Sequence, residues 1–546
     1  MGTEVRVFTA RRIITMNSSV PYVTHVAVRD GRVLGYGTAD DVAAFGPAEL
    51  DARFADKVIM PGFVEGHSHL FEGMTWLDPY LGFFDRRGPD RQVWPGLESI
   101  EAVVQRLREA EAALADSDVP VTAWGFDPIY FGGRRMVSAD LDQVSTTRAV
   151  VVTHASGHIM NVNGVALHRA GFTQSTDLDG LVRDANGALT GELLGPETMG
   201  RVRRVVGGAS MDRVVDAPGL RRFAGLAQAA GVTTAADLLN ELTPDTVATY
   251  QAVTAEPGFP LRIVPALAAR SYGLQDGIAR WRELRRQSND KLHFGLVKLV
   301  VDGSIQGFTA RLRWPGYHNG APNGMWYVAP AELAGIVAAY HEAGAHLHIH
   351  TNGDEASEVA VEMIGRALTA HPRLDHRHTL QHCQMPDEAL YRRIKALGIC
   401  CNIFANHIYY WGDAHAALTM GPSRAARMDA CGTALRLGLD IAIHSDAPIT
   451  PLAPLFTAWC AVNRRTASDR QLGPEECIPV AAALRAITLG AAYTMRLDHL
   501  VGSIDVGKFA DFAVLDADPL TADPMALRDI GVHATIVGGC VSAPAA

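Results

Sequence analysis

Residues 345–354 read AHLHIHTNGD, an apolar run in which His346, His348 and His350 alternate before the turn Thr351-Asn352-Gly353-Asp354. Alternation puts the three rings on one face of a strand. The segment is one of a series. TTAADLL (233–239), LRIVPAL (261–267) and FGLVKLVVDG (294–303) come before it, and HTLQHCQ (378–384), GICCNIFANH (398–407) and LDIAIHSDAP (439–448) come after. Most are separated by stretches with helical periodicity. Repeated βα units over this length predict an α/β fold built as a (β/α)8 TIM barrel. Residues 5–60 instead hold short alternating segments with turn signals, such as Asp30-Gly31 within VAVRDGRVLGYG (26–37), and 502–519 and 533–542 repeat that style. The two ends are expected to share one small β domain, made from 1–60 and 500–546, beside a barrel over 61–499. Residues 70–215, irregular and rich in Gly, Pro and aromatics, are expected as a large insertion above that barrel.

The chain of 546 residues has 49 basic and 59 acidic side chains, a formal net charge of −10, and 48% hydrophobic residues. At this size roughly three quarters of the unfolded chain's surface is buried on folding, which excludes a disordered or disulfide-stapled protein. A mild acidic excess with no basic run argues against nucleic acid as a partner. No apolar stretch approaches the roughly 18 residues of a membrane helix, and residues 1–16 lack a signal-peptide core, so a cytoplasmic protein without a membrane partner is expected. The seven cysteines include adjacent Cys400 and Cys401 and no C-x-x-C pair, which reads as reduced core residues. Only five of the basic residues are lysines, at 57, 291, 298, 395 and 508, so a lysine in an odd place is informative.

PGFVEGHSH (61–69) ends a short strand on His67 and His69. Residues i and i+2 of a strand face the same way, and in a barrel the C-terminal strand ends are where active sites are built. The two imidazoles can hold one cation there; alone, the pair also reads as two hydrogen-bonded surface histidines. Lys298 interrupts the apolar run FGLVKLVVD (294–302), where an uncompensated ammonium is costly. Either it pairs with a carboxylate, or its amine is altered, for instance carbamylated by carbon dioxide into an anionic metal-bridging ligand. His346 and His350 lie about 13 Å apart by strand rise, so one metal site cannot use all three histidines of that strand. The strand-end rule selects His350, and by the same rule His382 over His376 and His378. Each reads singly as a core histidine or as a ligand. Asp446, at the tip of LDIAIHSD (439–446), can ligate a metal and move protons, or cap the next segment. His444 shares its face and could support the site from behind. His350 and His382 are one βα unit apart and Asp446 two units further, which assigns them to strands 5, 6 and 8, with Lys298 on strand 4 and His67 and His69 on strand 1.

Taken together, IMPGFVEGHSH (59–69), SGHIMNVNGVAL (156–167), LVRDANGALTGELL (181–194), VKLVVDGSIQGFTA (297–310), HTNGD (350–354), LQHCQ (380–384), HSDAP (444–448) and GSIDVGKFADFAVL (502–515) resemble the amidohydrolase superfamily, specifically its amidohydrolase family 3 branch, over almost the whole chain. The resemblance implies a distorted (β/α)8 barrel with a divalent metal centre, usually zinc, of one or two ions, beside a β-sandwich assembled from both chain ends. Carried over by position, His67, His69 and Asp446 would bind the more buried metal and His350 and His382 the second, with Lys298, if carboxylated, bridging the two. His158 resembles a family histidine near the substrate. The sequence departs from the commoner family pattern at GICCNIFANHIYYWGDAH (398–415). There Asn406 and His407 are expected to touch substrate, and Tyr409, Tyr410 and Trp411 to shape the pocket or to pack as core. Trp76, Phe83, Phe84, Trp314 and Trp326 read as a hydrophobic pocket or as lid packing.

The implied chemistry is hydrolysis of a C–N bond in a small amide-like molecule, an N-acyl or N-formyl amine, by a metal-bound hydroxide, with Asp446 moving the proton. N-substituted formamide deformylation is one activity known in this branch. A one-metal deaminase and a non-hydrolytic metal-dependent lyase are the competing readings. A serine hydrolase is disfavoured because no G-x-S-x-G elbow occurs. A homodimer is the ordinary expectation for a soluble enzyme.

Overall fold

The structure, a computed structural model, describes residues 4–116, 118–207 and 215–542. Positions 1–3 and 543–546 of the expected terminal domain, and 117 and 208–214 of the expected insertion, lie outside the described residues.

Eight parallel strands form the central sheet in sequence order: β1 (Phe63–Ser68), β2 (Val232–Asn240), β3 (Arg262–Ala268), β4 (Leu296–Val300), β5 (His346–Thr351), β6 (Thr379–His382), β7 (Cys400–Ile403) and β8 (Ile441–Ile443). β1, β3, β5, β6, β7 and β8 are buried along their whole length, as parallel strands covered by crossover helices must be. Helices Pro244–Thr254, Leu274–Arg285, Pro330–Glu342, Asp354–Ala370 and Glu388–Ala396 follow β2 to β6 in turn. The βα reading from residue 230 onward is therefore borne out strand by strand, and the singled-out histidine, lysine and aspartate positions fall on, or just after, the strands to which spacing assigned them.

Closure between β8 and β1 is narrow. One bridge pairs Ser68 with Ala447, and the His69 amide donates to the Ala447 carbonyl at 2.7 Å. The buried Glu65 carboxylate adds the rest: it accepts from the Ser445 hydroxyl at 2.7 Å, from the Ser445 amide and from the His67 amide. The last strand has three residues, so side-chain bonds do at this seam what a longer ladder does elsewhere.

Both chain ends enter one seven-stranded sheet. Val5–Ile14, Tyr22–Arg29, Arg32–Gly37 and Ala48–Pro61 come from the N-terminal side, and Phe512–Leu515, Val532–Val537 and Cys540–Ser542 from the C-terminal side. The halves join where Phe512–Leu515 pairs antiparallel with Val58–Pro61. Phe8, Ile13, Val26, Phe54, Ile59, Phe512 and Ile536 form its core. A buried, bidentate pair ties it to the barrel: Arg262, opening β3, donates to Asp511 at 2.6 and 2.9 Å and lies 3.5 Å over the Phe509 ring. Between β1 and β2 the chain builds a second, five-stranded sheet from Val121–Phe126, Val150–His154, Ile159–Val162, Leu181–Arg183 and Leu189–Leu194, with apolar clusters of its own. Among the described residues no helix is long and apolar enough to cross a membrane.

The turn after β5 depends on one glycine. Gly353 donates its amide to Asp302 at 2.9 Å, and a Cβ there would lie 1.7 Å from the Arg311 carbonyl oxygen. Since main chain cannot give way like a side-chain tip, Gly353→Ala is expected to cost about 1–3 kcal/mol or more by overpacking, read as a lowered unfolding midpoint in denaturant.

Candidate metal centre

The chemistry-bearing side chains stand where barrel strands stop. His67 lies near the end of β1 and His69 just beyond it; His350 is near the end of β5, His382 ends β6, and Asp446 follows β8. His382 and Asp446 have φ of +72° and +52°. This left-handed backbone costs a residue with a Cβ roughly 1–2 kcal/mol, and it turns each chain sharply out of its strand at the barrel mouth.

Two groups of donor atoms result. Asp446 Oδ1 lies 3.2 Å from His67 Nε2 and 3.3 Å from His69 Nε2. Two donors each about 2.0–2.1 Å from one zinc ion at the tetrahedral angle are roughly 3.3 Å apart, so this spacing fits three ligands of a single cation. In the second group His382 Nε2 lies 2.9 Å from His350 Nδ1. His382 connects the groups, its Nδ1 standing 3.9 Å from Asp446 Oδ2. Lys298 is 2% exposed, and its Nζ has no hydrogen-bond partner among the described residues. It stands on β4 opposite His348 of β5, two residues before the position paired with His350. Burial pulls its pKa down to about 7, against the opposing pull of Asp446. Burial also holds His67, His350 and His382 well below the usual histidine range, so each is the neutral imidazole that a metal requires. A chain of neutral nitrogens and a carboxylate, beside a buried amine drawn toward neutrality, fits a divalent cation.

His444 also offers a nitrogen near His67 and His382. Its ring, however, is stacked on His67 at 4.6 Å with only 14° between the planes. Lone pairs of parallel rings point alongside one another and do not converge, so His67 and His444 are poor ligands for one shared ion. His444 packs as a flat plate, with Phe404 stacked at 4.9 Å.

Other expected residues divide. His158, carried on the insertion, brings its ring to 5.1 Å from His350 and 5.5 Å from Tyr327. His407 Nδ1 lies 3.2 Å from Asp429 Oδ1, and its ring packs at a tilt 4.3 Å from Phe404. Asn406 donates to Thr450 Oγ1 at 2.7 Å, joining the loops after β7 and β8. Trp411 donates to Asp127 at 2.9 Å, and Tyr410 packs on Phe84 at 5.1 Å. These aromatics fasten the insertion to the barrel, the packing reading of the two. Trp314 is 93% exposed, so it is not packed as part of a lid. His346, His376 and His378, set aside by the strand-end rule, are buried away from Asp446; His378 Nε2 bonds His341 Nδ1 at 2.8 Å.

Sequence reasoning missed the supporting residues. Asp302 accepts main-chain amides of Asn352, Gly353 and Arg311 at 2.9–3.0 Å and so fixes the turn behind His350, while burial lifts its pKa to about 7. Its one signal is a carboxylate closing the apolar run of β4. Glu65, Gln381 and Asp429 show no signal of their own, because each matters through a partner distant in sequence.

Comparison with known proteins gives a match to the model of the amidohydrolase family over residues 51–543. YtcJ of Bacillus subtilis (strain 168), named as an amidohydrolase, is 27% identical over 543 residues, 96% of this chain and 97% of its own. The N-substituted formamide deformylase of Arthrobacter pascens is 23% identical, with 94% of each chain covered. Among solved structures, an uncharacterised metal-dependent hydrolase from Pyrococcus horikoshii OT3 superposes with a TM-score of 0.71 at 20% identity, covering 95% of this chain and 99% of its own.

Asp302 can be tested directly. Asp302→Ala leaves three main-chain donors without their acceptor, and at about 1–3 kcal/mol for each buried unsatisfied group the variant is expected to lose about 3 kcal/mol or more of stability. Denaturant unfolding measures this; wild-type stability would show that the turn holds without the carboxylate.

Proposed function

The chain belongs to the amidohydrolase family, and on that premise we propose that it hydrolyses a C–N bond of a small amide-like molecule, an N-acyl or N-formyl amine, at a two-ion zinc centre. The observation that carries this reading is the convergence of His67, His69 and Asp446 next to the His350–His382 pair, with an unpartnered buried lysine among them. Similarity to a formamide deformylase supports the substrate class.

In this reading His67, His69 and Asp446 would hold one ion and His350 and His382 the other, and Lys298, as a carbamate, would serve both. The lysine is suited to that change. With its pKa near 7 a large share is neutral amine at neutral pH, whose lone pair attacks carbon dioxide; an N–C bond forms, one proton leaves, and the product is an anion. When bound, the ions supply Lewis-acid polarisation of the carbonyl and water of lowered pKa. The remaining work belongs to side chains. Asp446 takes a proton from the attacking water and returns it to the leaving nitrogen as the C–N bond breaks and the C–O bond forms. His158, from the insertion, stands edge-on to His350 with ring centres 5.1 Å apart, where it would meet the substrate. The proposal includes the division into a β-sandwich domain from 1–60 and 500–546 and a barrel over 61–499, and a cytoplasmic setting.

The three-donor set of His67, His69 and Asp446 is complete enough for one ion, which favours a single-metal deaminase as the second reading. Metal content separates the two. Two tightly held ions per chain after dialysis, falling to one or none in Lys298→Met, are expected, and metal-free protein should reload faster with bicarbonate present. One ion in the wild type, unaffected by Lys298→Met, selects the deaminase. Turnover of N-formyl and N-acyl amines in water enriched in oxygen-18 should put label in the acid product; unlabelled product removes hydrolysis.

A further inference from the structure

Hydrogen bonds running through the barrel interior have a direction that a single main-chain carbonyl sets. His348 Nε2 lies 3.0 Å from the Thr494 carbonyl oxygen, which can only accept, so Nε2 carries the ring proton. His348 is fully buried, with a main-chain carbonyl on one nitrogen and a neutral side-chain amide on the other, a setting for a neutral ring with one proton, so its Nδ1 is a bare acceptor. The partner of Nδ1, at 2.7 Å, must then be the amide nitrogen of Gln381. That orients the Gln381 amide, leaving Oε1 to accept from His67 Nδ1 at 2.8 Å and from Asn402 Nδ2 at 2.9 Å. His67 therefore holds its proton on Nδ1 and has a lone pair on Nε2, the atom 3.2 Å from Asp446.

We propose that Gln381, locked in one amide orientation by His348, is a positioning residue that sets the tautomer of His67 and makes its Nε2 a standing metal ligand. The proposal rests on the two-ion reading of the metal centre. The opposite orientation of Gln381 fails at His348, where it would set Oε1 against Nδ1 and need a second proton on a ring whose first is already given to the Thr494 carbonyl. All four side chains are fully or almost fully buried, so these hydrogen bonds are made in a low-dielectric interior, where a mismatched pair is costly. The usual partner of a metal-binding histidine is a carboxylate or main-chain carbonyl, and here a neutral amide takes that place, its direction fixed two bonds upstream. Gly66 belongs to the arrangement: a Cβ there would come within 2.9 Å of Asn402 Nδ2, so the glycine leaves room for the second donor on Gln381 Oε1. His348, unable to share a metal site with His350 on distance grounds, thus has a use at the base of the same centre.

The test is ring-nitrogen NMR of the metal-free full chain labelled at histidine, with the His67 signals identified by their loss in His67→Asn, together with zinc affinity by chelator competition. Wild type should show His67 protonated on Nδ1. Gln381→Met, similar in size but without hydrogen bonds, should mix the tautomers and weaken zinc binding about 10–100-fold. Gln381→Glu, whose carboxylate still accepts from Nδ1 while its second oxygen meets His348 Nδ1 and draws a proton onto that ring, should keep the His67 tautomer and lose less zinc affinity than Gln381→Met. Protonation of His67 on Nε2 in the wild type would overturn the proposal, as would unchanged zinc affinity in Gln381→Met. Equal losses in the Met and Glu variants would make Gln381 a packing residue only. If the wild type takes up no zinc, the metal reading falls, while the tautomer still decides the relay. If Gln381→Met does not fold, the wild-type tautomer decides by itself: a proton on Nδ1 supports the relay and one on Nε2 ends it.

Discussion

The seam between the last and first barrel strands is the constraint on which the molecule turns. β8 has only three residues, and it meets β1 through one bridge, one amide–carbonyl bond and the buried Glu65 carboxylate gripping Ser445. The same few residues, 65–69 against 445–447, present His67, His69 and Asp446. Barrel closure and the first donor group are therefore one structure: a change that opens the seam separates Asp446 from its two imidazoles, and a group that draws those three together also closes the barrel. Coupling of this kind makes metal binding and folding add to one another, as they do wherever ligands come from elements that must meet.

Much of the fold was legible because βα repetition is a local, periodic signal. The strand candidates from 233 onward coincide with β2 to β8, and the rule that chemistry sits at C-terminal strand ends separated His350 and His382 from His346, His376 and His378. The terminal strands were legible too, although their linkage into one seven-stranded sheet depends on pairing between residues about 450 apart, which no local pattern carries. What lay beyond reading were residues whose role is to hold another residue. Asp302 resembles any strand-end carboxylate, Gln381 any buried amide, Asp429 any turn residue; each becomes specific only once a turn, a ring or a charge from another strand is beside it. The aromatics after β7 show the same limit. Their chemistry fits a pocket wall and a domain joint equally well, and only contact with Phe84 and Asp127 on the insertion decides between them.

The electrostatic character of the centre follows from burial. Histidines around it are pushed neutral, and Lys298 is drawn down toward the pH at which it loses its own charge. Fully protonated, the cluster would be a dense block of positive charge in a low-dielectric interior; neutral, it is a set of lone pairs and one nucleophilic amine around the Asp446 carboxylate. That is an environment poor in cations and rich in donors, and the desolvation that costs each group its charge is what prepares it for a metal.

His67 shows how fully such a donor can be constrained. Rotation about its ring axis is fixed by the bond from Nδ1 to Gln381, and the tilt of its plane by His444, stacked at 4.6 Å and backed in turn by Phe404. A hydrogen bond alone leaves the ring free to rock about the N–H direction, and stacking alone leaves it free to turn in its plane. Together they leave one orientation, with Nε2 toward Asp446. A polar side chain and a flat apolar contact thus do complementary work, and a substitution at position 444 that kept polarity but lost flatness would loosen His67 in a coordinate that Gln381 does not control.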